Sequence, residues 1–338
     1  MTQDSTISYA NFAIAILNWN GEKLLNQFLP SILEHSHDAA IYVIDNASTD
    51  GSIALLKSQY PTVRLIENQA NYGYAGGYNH GLKNIEEPYL VLVNSDIEVT
   101  ANWLKPIQTM FEEQAQTAII QPKILDYKKK THFEYAGAAG GFIDQYGFPF
   151  CRGRIFDTVE EDYGQYDDEA TIFWASGACF FIRNSVFKQL GGFDSNFFAH
   201  QEEIDLCWRA QNEGYQVKYT GQSVVYHVGG ATLAYYSPRK TYLNFRNSLM
   251  MMNKNLPAKG KFAILFTRLC LDGIAGVRYF LTLKPQHCFA IIHAHFGFYK
   301  RLKKCQSVPS KLKINNYFHV KSIVFLYFRH RKKIYSAI

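Results

Sequence analysis

The stretch FAIAILNWNG, residues 12–21, is an apolar run that stops at Asn18, Asn20 and Gly21. Directly behind it, residues 22–35 read EKLLNQFLPSILEH, in which Leu, Phe and Ile recur at helical spacing. The pattern predicts a strand, a turn and a helix. Because the strand is apolar along its whole length, both of its faces should be buried, as in a parallel sheet covered on two sides.

The same alternation recurs through the first hundred residues. It predicts strands at 39–48, 63–69 and 89–96, and helices at 52–60 and 76–85. Alternating elements of this kind are typical of an α/β fold whose mostly parallel central sheet carries helices on both faces. In such folds, ligands bind beyond the carboxyl ends of the strands. At those ends the sequence places Asn18, Asp45, Asn68 and Asp96.

Beyond residue 96 the pattern becomes less regular. It predicts a helix at 103–114, a strand at 118–124, a hairpin and loop at 136–170, and a strand at 171–183 interrupted by Ser176 and Gly177. The second half of 191–214 predicts a helix with acidic residues in its first turn and Gly214 at its end. A strand then ends at His227, and the sequence beyond residue 240 has helical character.

Charge is divided unevenly along the 338 residues. Residues 1–227 hold 15 Lys and Arg against 28 Asp and Glu, whereas residues 228–338 hold 20 against one acid, Asp272. A basic end on an acidic body predicts that this end faces an anionic partner. With 47% hydrophobic and 19% charged residues, the composition excludes a disordered chain and a multispanning membrane protein.

The cysteine pattern and the lack of a recognisable targeting signal predict a cytoplasmic protein. Six widely spaced cysteines, at 151, 179, 207, 270, 288 and 305, form no CxxC pair and no zinc spacing, so we expect reduced, structural thiols. The N-terminal sequence MTQDSTISYANF lacks the basic and apolar segments of a signal peptide. The sequence also has no stretch of about 18 apolar residues that would predict a spanning helix.

Eight short stretches together carry a family resemblance. They are LNWNG (17–21), VIDNASTDGS (43–52), NYGYAGGYNHG (71–81), VLVNSD (91–96), WASGACFFIR (174–183), GGFDSNFFAHQEEIDLCWR (191–209), YHVGG (226–230) and YLNFRN (242–247). In this order they resemble the family 2 inverting glycosyltransferases, specifically the rhamnosyltransferase-like branch. The resemblance implies a GT-A fold in a catalytic domain at residues 1–252, followed by a basic helical extension at 253–338.

The resemblance also implies a nucleotide-sugar donor site. The residues implied for the base-and-ribose pocket are Asn18, Trp19, Asn20 and Asp45, and those for the rest of the donor site are Asn46, Asn71, Gly73, Gly77, Asn79 and Asn94. The Asp45 carboxylate can accept the imide N–H of uracil or thymine, which favours a UDP- or dTDP-sugar. Two alternatives stay open: core packing for Trp19, and helix capping for Asp45 or Asp50.

The segment NSD at 94–96 stands where the family has its DxD motif. Asp96 matches the metal-binding Asp, while Asn94 replaces the first carboxylate and should weaken the site. A divalent cation, Mn²⁺ or Mg²⁺, held through one or two carboxylates stabilises a diphosphate leaving group. His227 matches a His that joins the metal or the diphosphate in similar enzymes. A structural role is the alternative for a His at a strand end.

The implied catalytic base departs from the family motif. Where the family reads Glu-Asp-x-Asp-Leu, residues 202–206 read EEIDL. An inverting transfer needs a carboxylate that takes the acceptor hydroxyl proton. Glu203 occupies that position, with Glu202 and Asp205 as further catalytic candidates. The extra methylene of Glu203 can move its carboxylate by about 1 Å, enough to alter activity. Alternatively, these acids only complement a helix N-terminus, and Asp205 pairs with Arg209.

The acceptor side is implied at Trp174, Gly177 and Ala178, where an aromatic face can pack on a sugar ring. Core packing of Trp174 is the alternative. In the C-terminal extension, residues 262–283 and 287–304 are apolar stretches interrupted by basic residues. Such helices are typical of peripheral association with an anionic membrane surface. A nucleic-acid interface has no recognition motif to support it, and plain helical packing is the other alternative.

Together these features predict a non-processive inverting glycosyltransferase on the inner face of the cell membrane. It would move a sugar such as rhamnose to a glycan or lipid-linked acceptor in cell-surface polysaccharide biosynthesis. A processive synthase should carry a Gln-x-x-Arg-Trp motif, and a nucleotidylyltransferase a Gly-rich basic loop; the sequence has neither. Because of Glu203 and Asn94, a catalytically inactive sugar-nucleotide- or glycan-binding protein of the same fold is the alternative.

Overall fold

A computed structural model describes residues 8–229, 237–302 and 313–338. Its helices are α1 (Glu22–His35), α2 (Ser52–Gln59), α3 (Gly73–Gly81), α4 (Lys105–Glu113), α5 (Asn184–Gln189), α6 (Glu202–Asn212), α7 (Pro238–Asn255), α8 (Lys261–Leu281), α9 (Pro285–Arg301) and α10 (Ile323–Phe328). The N-terminal segment MTQDSTI, Gly230 of the YHVGG stretch, and the segment at 303–312 with Cys305 lie outside the described residues, together with the expectations that concern them.

The strands fall into two sheets. They are β1 (Phe12–Asn18), β2 (Ala40–Asp45), β3 (Arg64–Glu67), β4 (Tyr89–Asn94), β5 (Ile97–Val99), β6 (Thr117–Asp126), β7 (Gly141–Ile143), β8 (Pro149–Cys151), β9 (Arg154–Ile155), β10 (Thr158–Val159), β11 (Glu169–Thr171), β12 (Cys179–Arg183) and β13 (Gln216–His227). The central sheet has the order β11-β13-β6-β12-β4-β1-β2-β3, with β5 beside β13, and the small sheet has the order β10-β9-β8-β7.

The central sheet is mixed. Strands β1 to β4 pair in parallel, and so do β6 and β13. By contrast β12 runs antiparallel to β4 and β6, and β5 and β11 run antiparallel to β13. The α/β fold with helices around a central sheet and a helical C-terminal extension is therefore confirmed. The antiparallel strands are all drawn from the less regular part of the sequence beyond residue 96.

Strand β1 shows why its sequence is apolar throughout. Ala13 and Ala15 belong to the core on one face of the sheet, and Phe12, Ile14 and Ile16 to the core on the other. Because successive side chains of a strand point to opposite faces, a strand covered on both sides needs apolar residues at both parities. The sequence prediction of two-sided burial is confirmed.

Helix α3 lies close against β2 because its sequence is rich in glycine. A β carbon on Gly81 would lie 2.4 Å from Ile44 Cδ1, and one on Gly77 would lie 2.6 Å from Asn46 Nδ2. The helix begins at Gly73, three residues before the predicted start, and Gly73 has φ +71°. A side chain at either packed position would push α3 away from the sheet edge, so the glycines set the shape of that edge.

Two predicted stretches have a different local structure. The strand predicted at 171–183 is divided into β11 and β12, and residues 172–178 between them form no strand. Within 136–170, the predicted hairpin and loop contain the small antiparallel sheet of β7 to β10. Both differences place irregular backbone beside the carboxyl edge of the central sheet.

The C-terminal helices pack on the body. At the end of α7, Lys254 Nζ and Asn255 Nδ2 donate to the Asp205 carboxylate over 3.0 and 2.8 Å. Further along, Tyr317 stacks on Trp208 with ring centroids 4.9 Å apart. Helix α7 runs continuously through residue 252, and both sides of the expected boundary at 252/253 contact the body. The boundary itself stays a prediction.

Helix α8 is anchored to the body by Arg268, which also forms an ion pair with Asp272 of the same helix. Arg268 Nε donates to Asp272 Oδ1 over 2.7 Å, and Arg268 Nη1 donates to Tyr146 O and Ser248 Oγ over 2.8 and 2.9 Å. Sequence reasoning treated Arg268 as a basic interruption of an apolar surface helix, but the structure buries it against the body. The opposite face of α8 is left to solvent.

Helices α8, α9 and α10 expose a set of large apolar side chains, here called the apolar face. Its members are Phe262, Phe266, Ile274, Val277, Phe280, Leu281, Leu283, Phe289, Ile292, Phe296, Tyr299, Phe325 and Phe328. Phe262 is 83% exposed and Leu283, in the turn between α8 and α9, is 90% exposed. Among the described helices, none combines the length and the apolar character that a membrane crossing requires.

The described cysteines are free thiols. Cys151, Cys179 and Cys207 are buried, Cys270 is exposed and Cys288 is half-buried. Burial raises the pKa of the Cys151 thiol to about 11 and that of Cys207 to about 12, so both stay protonated at neutral pH. No disulfide joins these described cysteines, and their reduced state stays a prediction.

Candidate functional site

The carboxyl ends of β1, β2 and β4 bring polar residues together at one edge of the sheet. In the parallel register Asn18 lies opposite Asp45, and Leu17 lies opposite Asn94. Asp96 follows two residues after the end of β4. Because neighbouring parallel strands end at the same edge, side chains far apart in sequence meet here, as the strand pattern predicted.

Asn18 and Asp45 are both buried and bind each other. Asn18 Nδ2 donates to Asp45 Oδ2 over 2.9 Å and to Ser48 Oγ over 3.2 Å. The Ser48 backbone N–H donates to Asp45 Oδ1 over 2.8 Å. This last contact closes the turn after β2; because α2 begins only at Ser52, it is not the helix cap left open for Asp45. Each carboxylate oxygen keeps a second lone pair, so Asp45 can still accept a hydrogen bond from a ligand.

Trp19 and Asn20 lie at the rim of this pocket. Trp19 is 45% exposed, so it is not a core residue, and the core-packing alternative is wrong. Asn20 adopts a left-handed backbone with φ 52°, and its Oδ1 accepts the Thr49 N–H over 2.7 Å. An exposed indole beside a fixed turn is free to stack on a flat ligand.

Asn46, Asn71 and Gly73 form the turn that starts α3. Asn46 Nδ2 donates to Gly73 O over 2.9 Å, and Asn71 Oδ1 accepts the Gly73 N–H over 2.9 Å. A β carbon on Gly73 would lie 2.5 Å from Phe198 O. Gly73 is therefore the point where this turn touches the loop that leads into α6.

A second cluster joins the end of β13 to the end of β4. His227 Nε2 lies 3.1 Å from Asp96 Oδ1 and 3.5 Å from Asn94 Nδ2, and its Nδ1 lies 3.4 Å from Glu134 Oε1. Burial lowers the pKa of an imidazole, but the Glu134 and Asp96 carboxylates outweigh it and raise the pKa of His227 to about 10. The His227 ring is thus fixed between two carboxylates.

This cluster fits a divalent cation that is completed by a ligand. Asp96 and His227 are the residues that would hold the cation, and His227 would release its proton when the cation binds, because only a neutral imidazole is a metal ligand. No group of three or more His, Cys, Asp or Glu among the described residues is arranged to hold a metal alone. Substrate phosphates commonly supply the remaining oxygens. Glu134, behind His227, is placed to orient the ring.

Helix α6 begins with two neighbouring carboxylates, Glu202 and Glu203. Glu202 is buried and Glu203 is half-buried, and Oε2 of each finds no hydrogen-bond partner among the described residues. Burial and the neighbouring Glu203 carboxylate raise the pKa of Glu202 well above its usual value. Burial raises the pKa of Glu203 to about 7. A carboxylate with this pKa can take a proton near neutral pH.

The loop before α6 has an unusual backbone. Phe198, His200 and Gln201 have φ values of 66°, 72° and 74°, in the left-handed region that costs non-glycine residues about 1–3 kcal/mol each. Asn247 Nδ2 holds this loop by donating to three carbonyl groups of residues 197–200 at 2.7–3.0 Å. Helix α7 therefore stabilises the strained approach to the Glu202–Glu203 pair.

Gly177 adjoins the same pair. Tyr74 Oη donates to Gly177 O over 2.7 Å, and a β carbon on Gly177 would lie 3.8 Å from Glu203 Cδ. Ala178 is buried beside it, and its carbonyl accepts the Asn94 N–H over 2.9 Å. Gly177 and Ala178 thus connect the carboxylates of α6 with the end of β4.

Three predicted site residues make contacts that hold the structure together. The Asp205 carboxylate is fully buried and bound by Arg209, Lys254 and Asn255, so the predicted Asp205–Arg209 pair is present and this carboxylate has a structural role. Trp174 is buried, and its Nε1 donates to Phe142 O over 2.9 Å. Its core-packing alternative is the observed one. Asn79 binds the backbone N–H and carbonyl of Phe193, and so holds a loop.

Sequence reasoning missed three residues that the site depends on. Glu134 lies in an irregular segment after β6, and no spacing rule connects it with His227. Tyr74 sits inside the NYGYAGGYNHG stretch, where only the glycines and asparagines drew attention. Asn247 is the last residue of YLNFRN, a stretch recognised for its resemblance and given no role. A polar residue on a buried helix face was the available signal for Asn247.

Comparisons with known proteins agree with this fold. The family model described as Glycosyl transferase family 2 matches residues 13–191. The low-salt glycan biosynthesis hexosyltransferase Agl10 of Haloferax volcanii is 25% identical over 252 residues, which cover 72% of this chain and 76% of that protein. The N-acetylglucosaminyl-diphospho-decaprenol L-rhamnosyltransferase of Mycobacterium tuberculosis is 26% identical over 222 residues, or 60% of this chain and 71% of that one.

Among solved structures, the mannosyltransferase PcManGT of Pyrobaculum calidifontis, in complex with GDP-Man and Mn²⁺, superposes with a TM-score of 0.53 at 13% identity. The superposition covers 88% of this chain and 76% of that one. At this identity the likeness shows the fold alone. The predicted GT-A fold is confirmed.

Glu203→Gln should stabilise the protein at alkaline pH. The folded-state pKa of Glu203 is raised from about 4.5 to about 7, so its contribution to the free energy of unfolding is full below pH 4.5 and is lost as pH rises through 7. At pH 8 the free energy of unfolding, measured in urea, should be on the order of 2–3 kcal/mol higher for the variant than for the wild type. At pH 4 the two free energies of unfolding should be equal.

The matched control is Glu213→Gln, the same change at the other end of α6, which should leave stability nearly unchanged at both pH values. Equal stability of Glu203→Gln and wild type at pH 8 would mean that the Glu203 carboxylate is not strained by burial.

Proposed function

The chain belongs to glycosyl transferase family 2, and from that membership we propose that it moves one sugar, with inversion, from a UDP- or dTDP-sugar to a glycan or lipid-linked acceptor. We propose rhamnose or another hexose as the sugar, and assembly of a cell-surface polysaccharide as the setting. One relative is named for glycan biosynthesis, and another is named as an L-rhamnosyltransferase of N-acetylglucosaminyl-diphospho-decaprenol. Both names support the proposal.

The observation that carries the proposal is the Glu202–Glu203 pair at the sheet edge. Glu203 takes the proton of the acceptor hydroxyl as that oxygen attacks the anomeric carbon, from the face opposite the diphosphate. The nucleoside diphosphate leaves with the bonding electrons. Because burial raises the pKa of both neighbouring carboxyl groups, they share one proton near neutral pH, and the pair carries one negative charge when Glu203 acts as base.

The donor lies along the ends of β1, β2 and β4 in this proposal. Asp45 accepts the imide N–H of the base, and Asn18 keeps the Asp45 carboxylate in place. Trp19 covers the base from the exposed side. Asp96 and His227 are the residues that would hold Mn²⁺ or Mg²⁺. A bound divalent cation would stabilise the negative charge that builds on the departing diphosphate.

The acceptor approaches from the side of Gly177 and Tyr74 in this proposal. Gly177 has no side chain, so an acceptor hydroxyl can come close to the Glu203 carboxylate beside it. The strained loop at residues 198–201 forms the other side of this acceptor path. We propose that the protein works as a peripheral protein on the inner face of the membrane, with the apolar face lying in the lipid interface.

Two features of the C-terminal helices support membrane association. Exposed residues recur every three or four positions along α8 and so occupy one side of it: Phe262, Phe266, Cys270, Ile274, Val277 and Leu281. Basic residues flank this apolar side, and no acidic residue follows Asp272 in the sequence. Apolar insertion and attraction to anionic headgroups act together on such a surface.

Changing Glu203 to Gln should retain nucleotide binding and lower kcat by a factor of about 10² to 10⁴, the usual contribution of a positioned base. In the wild type, kcat/KM should rise with pH through about 7 as Glu203 loses its proton. The measurement is UDP and dTDP release from a panel of nucleotide sugars.

Glu213→Gln is the control and should keep wild-type turnover. Full activity of Glu203→Gln would place the base elsewhere. A wild-type protein that binds nucleotide sugars but neither transfers nor hydrolyses any of them would favour the inactive binding protein instead.

Changing Asp96 to Ala should remove the metal-dependent part of nucleotide affinity. Asp96 would be the main carboxylate on the cation, and Asn94 cannot replace its charge. By calorimetry, UDP or dTDP should bind the wild type at least tenfold more tightly with Mn²⁺ than with EDTA, and bind Asp96→Ala equally in both. The control is Asp38→Ala, which removes a carboxylate just before the start of β2, away from the carboxyl ends of the strands. An unchanged Mn²⁺ effect in Asp96→Ala would contradict this site.

The double change of Phe280 and Leu283 to Ser should weaken binding to phosphatidylglycerol-containing vesicles by at least about tenfold. Each inserted side chain contributes about 1.5–3 kcal/mol when it leaves water. Raising salt should weaken wild-type binding without abolishing it, because only the headgroup attraction is screened. Co-sedimentation with vesicles measures both effects.

Tyr163→Ser removes a similarly exposed ring from the body and is the control. Point changes are preferable to truncation after residue 252, because truncation would also remove Lys254 and Asn255 from Asp205. If the double variant sediments with vesicles as the wild type does, the apolar face is not the membrane-binding surface.

A further inference from the structure

A second cavity lies beside the proposed active site. It has a volume of about 580 Å³ and runs between the loop at 195–198, helix α7 and the end of α9. Arg239, Arg246 and Arg301 line it, together with Tyr242. Asp96 does not line it, although Phe198, which forms part of its wall, contacts Gly73 of the proposed donor site. We call it the arginine groove.

The lining of the arginine groove fits an anion. Among the described residues no Asp or Glu lines it, although three guanidinium groups do. Arg246 is buried, and its Nη2 donates to Phe197 O over 2.9 Å. Arg239 is exposed and lies over the Phe198 ring, 5.6 Å from the centroid. Planar guanidinium groups bind phosphate oxygens with two N–H donors each.

The two ends of the arginine groove indicate what the anion is attached to. On one side, the loop at 195–198 runs directly into Gln201 and the Glu202–Glu203 pair. On the other side, Arg301 is the last residue of α9, whose exposed residues Phe289, Ile292, Phe296 and Tyr299 belong to the apolar face. A ligand with a phosphate in the groove can therefore have a hydrophobic part on the apolar face and a sugar near Glu203.

We infer that the arginine groove binds the diphosphate of a prenyl-diphosphate-linked sugar, which is the acceptor. This inference rests on the proposed function and assigns the acceptor's phosphates to Arg239, Arg246 and Arg301. The sugar end reaches Glu203 past Phe198, and the prenyl chain follows α9 into the lipid interface. A volume of about 580 Å³ is within the usual range for a small-ligand pocket.

The test measures binding of farnesyl diphosphate to the full-length protein by calorimetry, with farnesol and UDP as reference ligands. The variants are Arg239→Ala, Arg301→Ala and the double change; both residues are more accessible than Arg246, which supports the loop. Each single change should weaken farnesyl diphosphate binding about tenfold, and the double change more. Farnesol and UDP affinities should stay the same.

Arg329→Ala removes an exposed arginine from the same basic segment and is the matched control, expected to bind farnesyl diphosphate like the wild type. Vesicle binding separates a phospholipid headgroup from the acceptor: the double variant should co-sediment with phosphatidylglycerol vesicles as the wild type does.

Unchanged farnesyl diphosphate affinity in the double variant overturns the inference. So does a parallel loss of vesicle binding in the double variant but not in Arg329→Ala, since the groove would then be a headgroup site. If the wild type transfers no sugar yet its farnesyl diphosphate affinity depends on Arg239 and Arg301, the proposed function fails and the groove assignment stands.

Discussion

The buried carboxylate of Asp205 fixes how the body and the C-terminal helices meet. Burial opposes its charge, but Arg209 and Lys254 outweigh that effect and lower the pKa of Asp205. Removing one partner from such a cluster typically costs about 3–5 kcal/mol, because a charge is left buried and unpaired. The cluster sets α6 against α7, and α7 in turn carries Asn247, which holds the loop before α6. The position of Glu203 therefore depends on a contact made on another side of its own helix.

Three acids in one helical turn thus have opposite environments. Asp205 has two cations and an amide, whereas Glu202 and Glu203 share a buried site with no hydrogen-bond partner for Oε2 among the described residues. The first arrangement stabilises the charged form, and the second raises the pKa of Glu203 toward neutrality. Unneutralised carboxylates and a left-handed approach loop are both unfavourable for folding. The body and α7 compensate for them, which is the usual division between a scaffold and a reactive site.

The sequence contained the parallel half of the fold and the edge where the site lies. Apolar strands ending at Asn18, Asp45 and Asp96 follow one rule, because parallel strands end together. No such rule reaches β12, whose antiparallel insertion between β4 and β6 is decided by tertiary packing. Trp174 illustrates the limit at the site: its aromatic ring suits either a sugar or a core, and only its contact with Phe142 O distinguishes them. Similarly, Glu134 meets His227 across 93 residues without any periodicity that would relate them.

The position of one residue, Asp272, explains how the charge asymmetry of the chain affects its surface. Asp272 is the single acid of residues 228–338, and it is buried, bound by Arg268 and facing His295. No acidic side chain of this segment is therefore available to repel an anionic surface. A nucleic-acid interface would need its basic residues on a polar face, but here they alternate with exposed rings such as Phe280 and Phe296. Lipid satisfies both requirements, because its interface offers anionic headgroups beside hydrocarbon. In the proposed function, α7 and α9 would hold the active site next to that interface, an arrangement that would favour acceptors that are themselves confined to the membrane.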